Sequence, residues 1–127
     1  MIVAGFGYRG AVTVESLKDA LKLAWSQAGL AQTAPFAIAV PTDKARIAAF
    51  QDFAASLNSR VIEVDPAQFY NIETLTRSER VQAKRGTGSV AEAGALIGAG
   101  LNARLLGQRV ISTDRMASCA LANGEPE

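Results

Sequence analysis

The apolar positions at the start of the chain change from a short continuous run to helical spacing. Residues 2–6 are apolar and bounded by glycine, which is typical of a buried first strand. A helix is predicted next, capped by Thr13 or Ser16 and ended by Gly29, with leucines and Trp25 forming its buried stripe. The opening unit is therefore a strand, a turn and a helix.

The middle of the chain repeats this alternation. Strands are predicted at residues 36–40 and 60–64, and between them a helix starts from the turn at residues 41–43 and ends near residue 57. Residues 65–85 then break the rhythm with mixed polar and aromatic positions, where we expect a short helix and a mobile flap.

The last third supplies one more helix and two strands. The segment 89–92, Ser-Val-Ala-Glu, is a capping-box sequence before a helix rich in alanine and glycine. Strands are predicted at residues 104–112 and 116–122, with a frayed tail at 123–127. Alternating strands and helices imply parallel pairing with right-handed crossovers. We therefore expect a single α/β domain over residues 1–127, a three-layer sandwich with a mixed, mainly parallel central sheet flanked by helices.

The side-chain inventory removes several kinds of chemistry. The 127 residues contain no histidine, which excludes an imidazole acid or base and any Ser-His-Asp or Cys-His pair within the chain. The single cysteine, Cys119, lies in an alternating apolar run and is expected to be buried and inert. We predict no metal site and no cofactor. The net charge of +1 gives no general reason to expect nucleic acid as a partner.

The pattern at the amino terminus bears on location. The first residues lead directly into an apolar strand without the basic region of a signal peptide. No apolar segment approaches the length of a membrane span. These observations predict a cytoplasmic protein without a membrane partner.

Two glycine-rich segments, each with an arginine, precede predicted helices: residues 5–10, Gly-Phe-Gly-Tyr-Arg-Gly, and residues 84–89, Lys-Arg-Gly-Thr-Gly-Ser. Such turns leave backbone N–H groups at the positive end of a helix dipole, beside a guanidinium, and so favour anions. Tyr8, an aromatic residue between two glycines, is expected to stay out of the core and cover a flat ligand. The candidate ligand-binding residues are Gly5, Gly7, Tyr8, Arg9, Gly10, Arg85, Gly86, Gly88 and Ser89. If the two corners face one cleft, they predict a ligand with several negative groups.

Other interpretations of the first segment stay open. Its three glycines match the dinucleotide fingerprint G-x-G-x-x-G, which normally needs an acidic residue at the end of the second strand to hold the ribose. Here that strand ends in Val40-Pro41-Thr42, and Asp43 is predicted to belong to the helix cap. A phosphate or nucleotide-binding module is one alternative, and a structural adaptor with tight glycine turns is another.

Catalysis by a carboxylate has two candidates, Glu92 and Asp114. The capping box gives Glu92 a sufficient local role, and turn chemistry is enough to explain Asp114. The chain shows no obvious pair of carboxylates for general acid and base chemistry.

Four segments, in this order, resemble a known family. They are residues 2–10 (Ile-Val-Ala-Gly-Phe-Gly-Tyr-Arg-Gly), 76–81 (Thr-Arg-Ser-Glu-Arg-Val), 86–96 (Gly-Thr-Gly-Ser-Val-Ala-Glu-Ala-Gly-Ala-Leu) and 120–122 (Ala-Leu-Ala). The family is that of the cobalamin-biosynthesis protein CobE and of the C-terminal domain of CbiG, the cobalt-precorrin hydrolase. The resemblance covers nearly the whole chain.

The resemblance implies a corrin-ring ligand. Such a macrocycle bears acetate and propionate groups, which suit two anion-binding corners. The implied role is to bind a precorrin or later corrinoid intermediate as a carrier or accessory protein, with other enzymes of the pathway as possible partners. Hydrolysis of a precorrin lactone, or another modification of the ring, is the enzymatic alternative.

Overall fold

The structure is a computed structural model that describes residues 1–125. The strands and helices, in chain order, are β1 (Ile2–Tyr8), α1 (Val14–Ala28), β2 (Ala37–Pro41), α2 (Ala48–Leu57), β3 (Arg60–Val64), α3 (Glu79–Arg85), α4 (Val90–Ala99), β4 (Leu101–Leu105), β5 (Val110–Ile111) and β6 (Ala117–Glu125). Two short 3-10 helices, Thr42–Lys44 and Pro66–Phe69, follow β2 and β3. No helix in residues 1–125 is long and apolar enough to cross a membrane.

The strands form one mixed sheet in the order β3-β2-β1-β6-β4, with β5 also paired to β6. β1, β2 and β3 are parallel neighbours, whereas β6 pairs antiparallel with β1, β4 and β5. Five strands therefore share one direction and only β6, among the described strands, opposes them. The predicted α/β class with a mixed, mainly parallel sheet is confirmed.

The two faces of the sheet carry different helices, which gives three layers. On one face, α1 and α2 pack through Trp25, Phe50 and Phe53 against Phe6 of β1. On the other face, the alanines of α4 pack against Val3 of β1 and the small residues of β2. Neighbouring residues of β1 thus point to opposite cores, as the two-residue period of a strand requires.

The bounds of α1 were correctly predicted because its ends depend on local chemistry. Thr13 and Ser16 bond reciprocally as a capping box, and Gly29 ends the helix at a φ of 70°. Trp25 is buried as expected, and Cys119 is also buried.

The first glycine segment is not a turn over its whole length, so that prediction was wrong. Gly5 and Gly7 lie inside β1, and α1 begins only at Val14. A Cβ on Gly5 would lie 2.5 Å from the backbone nitrogen of Ala95 and closer still to the carbonyl oxygen of Ala91. Gly5 is therefore required for the close approach of α4 to the sheet. In the sequence, a glycine needed for close packing looks the same as a glycine needed for a turn.

The helix predicted from residue 43 is also interrupted. Thr42–Lys44 forms a 3-10 turn, and α2 starts separately at Ala48 without a side-chain cap. Asp43 is consequently not a cap for this helix, because its carboxylate accepts a hydrogen bond from Arg85 instead.

The carboxyl-terminal strands differ from the prediction in their lengths. The strand expected at residues 104–112 is divided into β4 and β5, and β6 continues to Glu125. The prediction of a frayed tail was therefore wrong for residues 123–125, and residues 126–127 lie outside the described residues. The physical reason is the amino terminus, which pairs with this segment: the Met1 ammonium donates to Asn123, and Gly124 N–H donates to the Met1 carbonyl.

Residues 65–85 contain the expected short helix, α3, which Gly86 ends with a φ of 76°. Motion of this segment as a flap stays a prediction.

Candidate functional site

A cleft of about 680 Å³ lies at the edge of the sheet where β1 and β2 end and β6 begins. Gly7 to Gly10, Pro41 and the start of β6 line one side of the cleft, and residues of α3 line another. Ligand sites typically measure about 300–1,000 Å³, and in open α/β sheets they lie at the carboxyl ends of the parallel strands. Both the size and the place of the cleft fit a ligand site.

The charge of the cleft is strongly positive. Seven basic side chains line it: Arg9, Lys44, Arg80, Lys84, Arg85, Arg109 and Arg115. Among residues 1–125, no aspartate or glutamate lines it. Because the whole chain carries a net charge of only +1, the fold concentrates its basic residues here. Such a concave cationic surface attracts and holds anions.

Several predicted ligand residues meet in this cleft. Arg9 and Arg85, from the two glycine segments, both line it, together with Gly7, Tyr8 and Gly10. The two arginines therefore lie on one side of the sheet edge, as a shared ligand would require. Their binding roles stay a prediction.

The remaining glycine-segment residues lie elsewhere. Gly5 is inside β1, and Ser89 is fully buried as the N-cap of α4. Gly86 and Gly88 line a smaller hollow of about 300 Å³ beside residues 71–74. A Cβ on Gly88 would come too close to the carbonyl oxygen of Thr76, so close chain packing explains this glycine.

Tyr8 is part of the core edge as well as the cleft, so the prediction that it stays out of the core was wrong. Its ring lies 5.7 Å from the ring of Phe50, and its hydroxyl donates a hydrogen bond to the carbonyl oxygen of Lys44. The Lys44 ammonium lies 5.8 Å from the Tyr8 ring centroid. Burial raises the pKa of Tyr8, and the negative charge of Asp43 raises it further. Tyr8 therefore stays neutral at the cleft wall.

Glu92 does not close the predicted capping box. Ser89 accepts a hydrogen bond from the Glu92 N–H at 3.3 Å, but the Glu92 carboxylate turns away from the helix start. This fully buried carboxylate accepts from the backbone N–H of Thr76 and of Arg109, each at 2.8 Å, and from the Thr76 hydroxyl. Glu92 thus connects the segment before α3 to the loop that carries Arg109.

Asp114 lies outside the cleft lining and stabilises a turn. Its carboxylate accepts hydrogen bonds from the hydroxyls of Ser112 and Ser16 and from the Met116 N–H. Hydrogen bonds from Ser112 and, to a smaller extent, from Ser16 lower the pKa of Asp114. The turn between β5 and β6 is thereby attached to α1.

Five of the basic residues were missed in the sequence: Lys44, Arg80, Lys84, Arg109 and Arg115. They come from four separate segments that no spacing rule connects. Within α3, however, Arg80 and Lys84 lie four residues apart on one helix face, and Lys84 is the first residue of the second glycine segment. Arg115 adopts a φ of 62°, which marks a tight turn, but this conformation is a feature of the folded chain that its sequence does not signal.

The lining chemistry suits recognition of anions. Guanidinium groups are permanently charged and form paired hydrogen bonds with carboxylates or phosphates. The neutral Tyr8 hydroxyl is already engaged, and Glu92 is already bonded to three donors.

Fold and cleft together define a small α/β sandwich protein with a cationic, ligand-sized cleft at the carboxyl edge of its sheet. The family model described as Cobalamin synthesis G C-terminus matches residues 2–122. The chain belongs to this family and is a protein of cobalamin biosynthesis, which confirms the resemblance seen in the sequence. A search of the curated proteins found no match.

Two solved structures agree with this assignment, and a third shares the fold. CobE, a protein from the cobalamin (vitamin B12) biosynthetic pathway, is similar over 100% of this chain and 92% of its own, with 29% identity and a TM-score of 0.87. The cobalamin biosynthesis protein chiG from Agrobacterium tumefaciens is similar over 99% and 100% of the two chains, with 25% identity and a TM-score of 0.73. A cobalamin biosynthesis protein G homologue from Sulfolobus solfataricus shares the fold over 98% of this chain and 37% of its own, with 23% identity and a TM-score of 0.73.

Proposed function

We propose that this protein binds a precorrin or later corrinoid intermediate in its cationic cleft and acts as a carrier or accessory protein. The observation that carries the proposal is the convergence of seven basic side chains on one cleft in a member of a cobalamin-biosynthesis family. A corrinoid before amidation presents carboxylates around a large ring, and each one can pair with a lysine or arginine.

The distribution of the charges supports a macrocycle over a nucleotide. The basic residues come from the end of β1, the turn after β2, α3, and the loops on either side of β5. Seven cationic side chains in one cleft suit a ligand that carries several carboxylates around a ring. A nucleotide concentrates its charge in one phosphate group, which a single glycine-rich turn and helix start would serve.

A carrier role asks only for complementary shape and charge, and the seven basic side chains of the cleft support the charge requirement. Ring modification needs a proton acceptor or a nucleophile near the ligand. The two carboxylate candidates are committed elsewhere, Glu92 to three buried hydrogen bonds and Asp114 to a turn outside the cleft. We therefore favour binding and transfer to an enzyme of the pathway in the cytoplasm.

Absorbance titration with cobyrinic acid, a corrinoid with free carboxylates, tests the proposal. We expect saturable binding with no turnover of the chromophore, and weaker binding by Arg9→Gln, which removes an exposed cleft charge. Arg60→Gln is the matched control, because Arg60 is exposed on β3 outside the cleft lining.

The other outcomes identify the alternatives. Conversion of the chromophore at a catalytic rate would support an enzyme. Thermal stabilisation by ATP or NAD at concentrations where cobyrinic acid has no effect would support a nucleotide-binding module, because only a ligand of the folded state raises the melting temperature. If Arg9→Gln, Arg60→Gln and the unmodified protein all bind cobyrinic acid with the same affinity, the cleft is not the binding site.

A further inference from the structure

One cleft cation differs from the others in its environment. Arg85 is only 9% exposed and donates a hydrogen bond of 2.8 Å to Asp43, whose side chain is 51% exposed. This is the one salt bridge in the described part of the chain. By contrast, Arg9, Arg80 and Arg115 are exposed cleft residues.

The same ion pair anchors a wall of the cleft. Arg85 is the only buried residue of α3, and Arg80 and Lys84 of that helix also line the cleft. Asp43 lies on the turn that follows β2, so its carboxylate connects α3 to the end of the sheet. A polar bond, and not an apolar side chain, therefore fastens this cationic helix at its carboxyl end.

Separation of the ion pair costs its two members different amounts of free energy. A largely buried guanidinium is costly without an anion beside it. A half-exposed carboxylate regains much of its hydration if it is released. A ligand carboxylate in the cleft can therefore replace Asp43 as the ion-pair partner of Arg85, while Asp43 becomes hydrated. This exchange requires that the ligand's ion pairs with other cleft cations supply enough binding free energy to offset its cost.

We propose that Asp43 is an internal competitor that occupies Arg85 in the free protein and yields it to a ligand carboxylate. This inference rests on the proposed function. Its consequence is selectivity: a small anion meets Arg85 already paired, whereas a ligand that also engages Arg9, Arg80 or Lys84 displaces Asp43. Asp43 is then a specificity-determining residue.

Asp43→Asn tests the proposal, since asparagine keeps the shape and removes the competing charge. We expect cobyrinic acid to bind the variant about 1.5- to fivefold more tightly, the scale of one partly exposed ion pair. The free variant should melt at a lower temperature than the unmodified protein, because Arg85 loses its ionic partner. Asp52→Asn is the matched control, because it makes the same charge change on the exposed surface of α2 and should leave affinity unchanged.

A double-mutant cycle adds a second readout. Arg85→Gln should weaken cobyrinic acid binding more in the Asp43→Asn background than in the unmodified protein, because only there is Arg85 free of competition. If Asp43 merely orients Arg85, Asp43→Asn lowers affinity and stability together, and that result overturns the proposal. Equal affinity of Asp43→Asn and Asp52→Asn overturns it as well. Absence of cobyrinic acid binding to the unmodified protein would instead refute the proposed function.

Discussion

Replacing Glu92 with alanine is expected to destabilise the protein and to loosen two walls of the cleft at once. The buried carboxylate accepts three hydrogen bonds, from the Thr76 N–H and hydroxyl and from the Arg109 N–H. Thr76 precedes α3, and Arg109 lines the cleft directly. The substitution therefore removes the group that connects these two segments to the start of α4.

The size of the effect follows from these contacts. Hydrogen bonds to charged acceptors contribute about 1.5–3 kcal/mol each, but Thr76 and Arg109 are half-buried, so water recovers part of each loss. About 1 kcal/mol per donor, with about 1 kcal/mol more for the volume left empty, gives a loss of about 3–5 kcal/mol. That is a large part of the stability of a small protein, which is about 5–15 kcal/mol.

Urea unfolding followed by circular dichroism measures this loss, and hydrogen exchange locates it. The substitution should raise the hydrogen-exchange rates of the Thr76 and Arg109 amides more than those of the amides in the central strand β1. Glu92→Gln, which keeps the size but loses charge and one acceptor, should show a smaller loss. Glu63→Ala, exposed on the edge strand β3, is the control and should change stability by less than about 0.5 kcal/mol. A Glu92→Ala variant whose free energy of unfolding lies within about 1 kcal/mol of that of the unmodified protein would show that these hydrogen bonds contribute little to stability.

Three further predictions concern packing, pH and thiol reactivity. Gly5→Ala should cost about 3 kcal/mol in urea unfolding, the upper end of the usual cost of overpacking, because its Cβ would meet the backbone of α4. Gly10→Ala, with nothing within 4 Å of the new Cβ, should be nearly neutral, and similar effects of the two substitutions would contradict the packing role of Gly5. The hydrogen bond from Arg85 holds the pKa of Asp43 below its ordinary value of 3.8, so the pair stabilises the folded state above that pH and its contribution is lost as the pH falls through the lower, folded pKa. Below about pH 4, the unmodified protein should therefore lose its stability advantage over Asp43→Asn, and a constant difference down to the acid limit would contradict this. Burial raises the pKa of the Cys119 thiol, so iodoacetamide should label the protein in urea much faster than in native buffer, and rapid native labelling would show that the thiol is accessible.

Local signals in the sequence predicted local structure well. The capping residues Thr13 and Ser16 and the terminating Gly29 define α1 by hydrogen bonds and a backbone conformation that involve only near neighbours. The alternation of strands and helices was enough for the α/β class. The extension of β6 could not be predicted in this way, because it depends on pairing with Met1 and Ile2 at the other end of the chain.

The cleft shows the same limit. Arg9 and Arg85 were found because glycine neighbours marked them, but Lys44 and Arg109 carry no such mark and reach the cleft only through tertiary folding. Glycine also has two different uses that look alike in a sequence. Gly5 allows a helix to approach the sheet, whereas Gly86 supplies a positive φ at the end of α3.

Whether the cleft recognises a polycarboxylate corrinoid by charge is measured by the salt dependence of corrinoid binding. The dissociation constant of cobyrinic acid should rise steeply with sodium chloride concentration, whereas cobinamide, whose side chains are amides, should bind weakly and with little salt dependence. Arg9→Gln and Arg80→Gln should each make the cobyrinic acid dependence shallower, and Arg60→Gln should leave it unchanged. Equal affinity for the two corrinoids, or binding of cobyrinic acid that is independent of salt, would mean that charge does not govern recognition in the cleft.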